Sequence, residues 1–165
     1  MKNDLVVLIY GLIKENRMKI IRLNSELCGK YKDDISSYIY KSMNRGCDVE
    51  IFTLQDSILK VEQLRNYLDD NKAYAFIAMD KEVDGFAWAY PYGDEKSVYL
   101  SIIYVNELCR GKCVGHHLIK AIELAAKNDG YCRIWLHTDA DNTISRRFYA
   151  KNDYVEERIQ LQKYL

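Results

Sequence analysis

The chain has 165 residues, 24 Lys and Arg balanced by 24 Asp and Glu, and 48% apolar residues. That length fits one domain with a single sizeable core, and the zero formal charge supplies no long-range field to draw nucleic acid or an anionic membrane, so a small molecule is the expected partner. Five cysteines, Cys28, Cys47, Cys109, Cys113 and Cys132, form an odd set without framework spacing, which reads as free thiols in a reducing compartment such as the cytoplasm.

Leu5 to Ile13 is apolar apart from Tyr10 and Gly11 and follows Lys2, in the manner of a secretory leader. It falls far short of the roughly 20 residues of a membrane span, and Lys14-Glu15-Asn16-Arg17 stands where a small-residue cleavage site belongs. The better reading is a short amphipathic helix with Leu5, Leu8, Ile9, Leu12 and Ile13 on one side, an extension over residues 1–17 ahead of a single domain over 18–165. Met18 could equally be an alternative start.

Met18 to Leu23 has the length and β-branched content of a first strand. Lys30 to Asn44 carries Ile35, Tyr38, Ile39 and Met43 at helical spacing, with Arg45-Gly46 as a stop, and Gln55 to Asp69 carries Ile58, Val61, Leu64 and Leu68. Tyr74 to Met79 and Val83 to Tyr90 are strands joined by the polar turn Asp80-Lys81-Glu82, and Gly85 marks a close backbone approach or a bulge. After the turn at Pro91-Tyr92-Gly93-Asp94, Val98 to Val105 is apolar on both faces, the mark of a central strand. Gly115 to about Asn128 is an amphipathic helix through Leu118, Ala121, Ile122 and Ala125. Arg133 to Thr138 reads as a strand, Ile144 to Lys151 as a helix, and Tyr154 to Leu165 as a closing strand with Val155, Ile159 and Leu161 on one face. The expected order is β-α-α-β-β-β-α-β-α-β, without repeats or linkers.

Between the central strand and the next helix lies Arg110-Gly111-Lys112-Cys113-Val114-Gly115-His116-His117. A strand that passes into a helix through glycines and basic residues leaves backbone N–H groups converging on one spot, with the helix dipole behind them, and such a spot suits phosphate. Farther on stands Asn142-x-x-Ser145-x-x-x-Tyr149-x-Lys151-x-Asp153-Tyr154.

Arg110-x-x-Cys113-x-Gly115 resembles the Q/R-x-x-G-x-G/A signature of the GNAT superfamily of N-acetyltransferases, and the second segment resembles that family's N-x-x-A-x-x-x-Y-x-K-x-G-F. The element order is similar to the family's over Met18 to Leu165. Cys113 and Asp153 stand where the family usually has glycine. A cysteine there requires a local φ/ψ that tolerates a Cβ, and aspartate accepts left-handed geometry better than most residues.

The resemblance implies an α/β (α+β) acyl-CoA N-acyltransferase fold, a mostly antiparallel sheet with helices on both faces, and acetyl-CoA as donor. By the same resemblance Arg110, Gly111, Lys112, Cys113, Val114, Gly115 and His116 hold the pyrophosphate. Backbone groups of Ile103, Tyr104 and Val105 pair with the pantetheine arm as an added strand would, provided that the strand is splayed or bulged there. Asn142 either bonds the arm or caps its helix, Ser145 lies beside it, and Tyr149 stands near the sulfur. Expulsion of a thiolate, whose conjugate acid has a pKa of about 8.5 against ~10 for a phenol, explains a tyrosine there, because the phenol can protonate sulfur without itself being ionised.

The acceptor amine arrives as ammonium and needs a base. Asp139 and Asp141 after the fifth strand and Asp94 and Glu95 before the fourth are the candidates, with Asp139 taken as the catalytic one. Their clustering favours a cationic acceptor, an aminoglycoside, a polyamine or a lysine-like amine. Asp139-Ala140-Asp141-Asn142 faintly resembles the aminoglycoside N-acetyltransferases, which would imply antibiotic resistance. Relatives often form homodimers, and the apolar amino-terminal segment is a candidate surface for that.

Other chemistries fit less well. Cys109-x3-Cys113-x2-His116-His117 offers soft ligands, but His116 and His117 diverge by ~100° around a helix and paired zinc knuckles are missing, so no metal is expected. There is no G-x-x-x-x-G-K-[ST] loop for a nucleoside triphosphate. A catalytic thiol at Cys109 or Cys113 lacks an evident base and orienting group. A non-catalytic acyl-CoA sensor, or transfer to a protein or peptide amine, is the remaining alternative; the paired Asn142 and Tyr149 argue against the sensor.

Overall fold

The computed structural model describes residues 18–46, 49–161 and 163, and the extension expected over residues 1–17 lies outside them. Its elements are β1 (Lys19–Arg22), α1 (Ser25–Lys30), α2 (Lys32–Met43), α3 (Leu54–Asp69), β2 (Tyr74–Met79), β3 (Val83–Pro91), β4 (Ser97–Val105), a 3-10 turn at Glu107–Cys109, α4 (Val114–Asn128), β5 (Arg133–Trp135) and α5 (Thr143–Ala150).

The five strands form one sheet in the order β1-β2-β3-β4-β5, antiparallel except for the parallel pair β4 and β5. A parallel pair needs a long crossover, and α4 is that crossover. Its apolar stripe, Leu118, Ile119 and Ile122, packs on Phe76, Ala87 and Leu100 of one sheet face. On the other face Ile35 and Ile39 of α2 and Val61 and Leu64 of α3 meet Ile77, Phe86 and Trp88. The result is the expected mostly antiparallel sheet with helices on both faces.

Local chemistry sets the ends of these elements. Thr53 and Asp56 form a reciprocal capping box at the start of α3. The Asn24 side chain accepts from the Leu27 N–H at 2.8 Å and starts α1, a helix that the sequence reading passed over because Gly29 lowers its propensity. Cys28 of α1 is fully buried in the core with Val61 and Leu64 of α3, so tertiary packing outweighs propensity there.

Two expectations fail at the carboxyl-terminal end. The fifth strand stops at Trp135, not at Thr138. Tyr154 onward forms no strand among the described residues; Val155, Ile159 and Leu161 are 87%, 89% and 90% exposed. Alternation alone does not make a strand, and a β5 of three residues offers almost no ladder to extend.

Gly85 behaves as its position suggested. The β2–β3 register shifts between Ala78 and Met79, and a Cβ on Gly85 would sit 2.9 Å from the Tyr104 carbonyl oxygen and 3.1 Å from Leu118 Cδ1. The glycine therefore lets β3 lie tight against β4 and α4. Gly85→Ala should lower stability by about 1–3 kcal/mol, as overpacking does; an unchanged urea-unfolding midpoint would contradict this packing.

Candidate active site

The site begins where β4 and β5 part. β5 pairs with β4 only from Ser97 to Tyr99, while β4 runs on to Val105 with β3 alone as its partner. A bulge between Trp88/Ala89 and Leu100/Ile102 places Ser101 as the extra residue at the point of parting. Beyond it Ile103, Tyr104 and Val105 are half-buried, pair with Ala87, Phe86 and Gly85, and have no β5 partner on their other edge. This is the splay that main-chain pairing with an extended ligand requires.

The wedge leads to the amino terminus of α4. Gly111 has φ 78° and Cys113 has φ 60°, so two left-handed residues turn the chain into the helix. Cys113 gives no side-chain cap, and the first-turn N–H groups of this 15-residue helix remain without a side-chain acceptor. A Cβ on Gly111 would meet nothing within 4 Å. Such an uncapped, positively polarised terminus beside an open backbone fits the pyrophosphate of acetyl-CoA. Arg110 instead pairs with Glu107 at 3.4 Å and lies over the Tyr104 ring. Sequence reasoning could not tell that the cysteine adopts the glycine conformation unaided.

Gly115 also has a packing role. Its missing Cβ would lie 3.1 Å from Phe148 Cε2 and 3.5 Å from Val105 Cγ2, so a side chain there would push on α5. His116 serves the same α4–α5 contact, with Nδ1 2.7 Å from Asn152 Oδ1. Because Asn152 Nδ2 donates to the Phe148 carbonyl at 2.8 Å, Oδ1 is its acceptor atom and His116 Nδ1 carries the proton. Cys109, the other member of the soft-ligand run, has its thiol on Asp84 at 3.1 Å, and that hydrogen bond, with some burial, raises its pKa.

α5 carries the remaining candidates. Asn142 caps the helix, its side-chain oxygen accepting from the Ser145 N–H at 3.1 Å, which favours the second of its two expected roles. The Ser145 hydroxyl accepts from Arg45 Nη1 at 3.0 Å, so the α2–α3 loop reaches over to α5. Tyr149 is half-buried between Phe148 and Tyr154, with ring centroids 5.3 and 5.7 Å away. Burial, and then the nearby Tyr99, push its phenol up to about 12, against a smaller lowering by Arg45. It is therefore neutral at ordinary pH. Asp153 has φ 66°, the left-handed geometry anticipated for it.

The carboxylates are less focused. Asp94 accepts from the Ser97 side chain and the Lys96 N–H and pairs with Arg133 at 3.3 Å, and the first two of these hold its pKa down, as suits a turn residue. Glu95, Asp139 and Asp141 are exposed; the Asp139 carbonyl accepts from the Asn142 N–H at 3.0 Å and so helps start α5.

A feature that the sequence reading missed is a row of rings at the point of parting. Tyr90, Tyr99 and Trp135 are direct cross-strand partners on β3, β4 and β5. Their ring centroids are 5.7 and 4.8 Å apart, and His137 completes the row 5.3 Å from Trp135. The signal was present in the alternation Trp135-Leu136-His137, but no single strand reveals register.

Comparison with known proteins agrees with this geometry. The model of the Acetyltransferase (GNAT) family matches residues 40–154. Mycothiol acetyltransferase of Jonesia denitrificans is 28% identical over 79 residues, which cover 48% of this chain and 25% of that protein. The chain thus aligns with about a quarter of that curated relative. An aminoglycoside acetyltransferase, meta-AAC0020 from an uncultured soil metagenomic sample, in complex with sisomicin, superposes with a TM-score of 0.68 at 20% identity over 91% of this chain and 97% of the other. AAC(6')-Iy in complex with a bisubstrate analog of CoA gives 0.69 at 21% identity over 91% and 99%. At these identities the likeness of the structures is one of fold.

Two substitutions test the loop and its neighbour. Cys113→Gly should keep stability within about 0.5 kcal/mol, whereas β-branched Cys113→Val should cost about 1–2 kcal/mol at a left-handed position; equal costs would contradict the assigned backbone. Gly115→Ala should destabilise the fold by about 1–3 kcal/mol through Phe148, and wild-type thermal stability would contradict that contact.

Proposed function

This chain belongs to the GNAT acetyltransferase family, and from that premise we propose that it moves an acetyl group from acetyl-CoA directly to a primary amine of a small molecule, with no covalent enzyme intermediate. The observation that carries the proposal is the open edge of β4 from Ser101 to Val105, which ends at the uncapped start of α4 with Tyr149 close by. One continuous surface then suits an extended amide-bearing arm, a diphosphate and a reacting thioester.

Acetyl-CoA supplies a thioester carbonyl already activated toward attack. The main chain of Gly111 to His116, with Lys112 adding charge, binds the phosphates. Ile103, Tyr104 and Val105 align the arm through main-chain hydrogen bonds. An N–H on the bulged stretch of β4 can steady the oxyanion of the tetrahedral species. Tyr149, kept neutral by burial and by Tyr99, holds a proton to give to the departing sulfur. Asn142 and Ser145 fix the first turn of α5 and so the bearing of Tyr149. Asp139 takes the proton of the acceptor ammonium, directly or through water.

Aminoglycosides and polyamines are the first acceptors to try, since the structural relatives include enzymes solved with sisomicin and with a CoA-neamine bisubstrate. Free thiol should appear only when acetyl-CoA and a suitable amine are both present; release independent of the amine would contradict direct transfer. Tyr149→Phe should lower kcat by roughly ten- to a thousandfold, within the range for a general acid, while acetyl-CoA affinity is retained. A phenol at about 12 also means that any alkaline fall in rate near pH 10 has another cause, so the Phe variant should leave such a limb in place. An unchanged kcat would remove the assigned role.

A further inference from the structure

The row of rings lies where an acceptor must come to meet the thioester. Tyr90, Tyr99 and Trp135 sit opposite one another on three neighbouring strands, so their side chains share one face of the sheet. Tyr99 and Trp135 are also the last residues paired before β4 and β5 separate. The row therefore crosses the apex of the wedge. Tyr99 is close enough to Tyr149 to raise its pKa, which links the row to the proposed proton donor.

The row has a buried end and an open end. Toward α3, Tyr67 meets Tyr90 with centroids 5.5 Å apart and rings at 68°. Toward solvent, Tyr92 is 57% exposed, Trp135 is half-buried and His137 is exposed. The Trp135 indole N–H donates to the Tyr92 carbonyl at 3.4 Å, which fixes the plane of the indole. Tyr99 and Trp135 meet at 55°, Trp135 and His137 at 87°. These contacts are tilted and edge-on, and Tyr92 lies 31° from the plane of Trp135 with centroids 5.8 Å apart, so the open ring surface lies at the Tyr92 and His137 end, where both residues are exposed. Asp94 in the adjoining turn is engaged by Ser97 and Arg133, whereas Glu95, Asp139 and Asp141 are exposed.

We propose that Tyr90, Tyr99, Trp135 and His137, flanked by Tyr92, form the acceptor subsite, and that it selects amines carried on a flat unsaturated ring over simple alkyl amines. The inference rests on the acetyltransferase reading and narrows its acceptor. A planar ring stacks within the row and buries its faces, and the attached ammonium gains from lying over an electron-rich ring until it gives up its proton. A short alkyl amine brings too little area to use the row.

The test has a binding arm and a turnover arm. The chain contains two tryptophans, and Trp88 is 1% exposed, so quenching of fluorescence by added amine reports mainly on half-buried Trp135. Phenethylamine, whose phenyl ring does not absorb where indole is excited, should bind at least tenfold more tightly than butylamine, checked by calorimetry. In turnover, the ratio of kcat/KM for phenethylamine to that for butylamine should fall by roughly ten- to thirtyfold in Trp135→Leu, the scale expected for losing one desolvated ring contact to a cation. His137→Leu, at an exposed position, gives a second variant with a smaller expected fall should Trp135→Leu fold poorly. Equal or tighter binding of butylamine, or an unchanged ratio in a folded variant, would overturn the proposal. The binding arm contains no acetyl-CoA, so a chain that failed to bind acetyl-CoA would refute the transferase reading while the row was still judged on its own.

Discussion

The parting of β4 from β5 is the constraint on which the site depends. A strand that continues past its neighbour keeps one line of backbone groups unpaired, and inside a half-buried cleft that is costly unless water or a ligand satisfies them. Here the unpaired line begins at the Ser101 bulge and runs toward Val105, whose carbonyl accepts from Arg110 Nε at 3.4 Å, beside the helix terminus whose own N–H groups lack a side-chain cap. The unfinished edge and the uncapped terminus arise from the same connection, because α4 is the crossover that makes β4 and β5 parallel. A sheet that stayed fully paired there would leave no place for the donor.

The second requirement is that α5 stay seated over the wedge. It is short, and at its start it leans on one cap, Asn142, and on Arg45 reaching across to Ser145. At its end Asn152, only 5% exposed, ties the Phe148 carbonyl to His116 of α4. Gly115 opens the space into which Phe148 fits. Residues first read as phosphate contacts therefore also determine where Tyr149 stands. On the proposed reading, binding and proton donation share a packing interface rather than lying in separate parts of the domain.

Much of this was legible in the sequence. Long periodic elements announced themselves: Leu118, Ala121, Ile122 and Ala125 lie on the buried face of α4, whereas Val98 to Val105, read as the central strand, is the fourth of five and β3 is the central one, buried on both faces. The two glycine replacements were legible as departures, and both proved conformationally faithful, Cys113 at φ 60° and Asp153 at φ 66°. What stayed hidden depended on partners distant in the chain. The direction of the Gly115 Cβ, the Asn152 bridge and the cross-strand ring row all need register and helix packing, which no local pattern encodes. The final segment misled because apolar alternation at Val155, Ile159 and Leu161 implies a strand only if a neighbour is present to receive it, and β5 is too short to do so.

The central claim is that acetyl-CoA lies along the free edge of β4 with its diphosphate at the start of α4. Amide hydrogen exchange measured with and without acetyl-CoA tests it most directly, because ligand contact at backbone groups slows their exchange locally. The account predicts new protection concentrated between Ile103 and His116. Protection confined to other elements, or none at saturating acetyl-CoA, would contradict it.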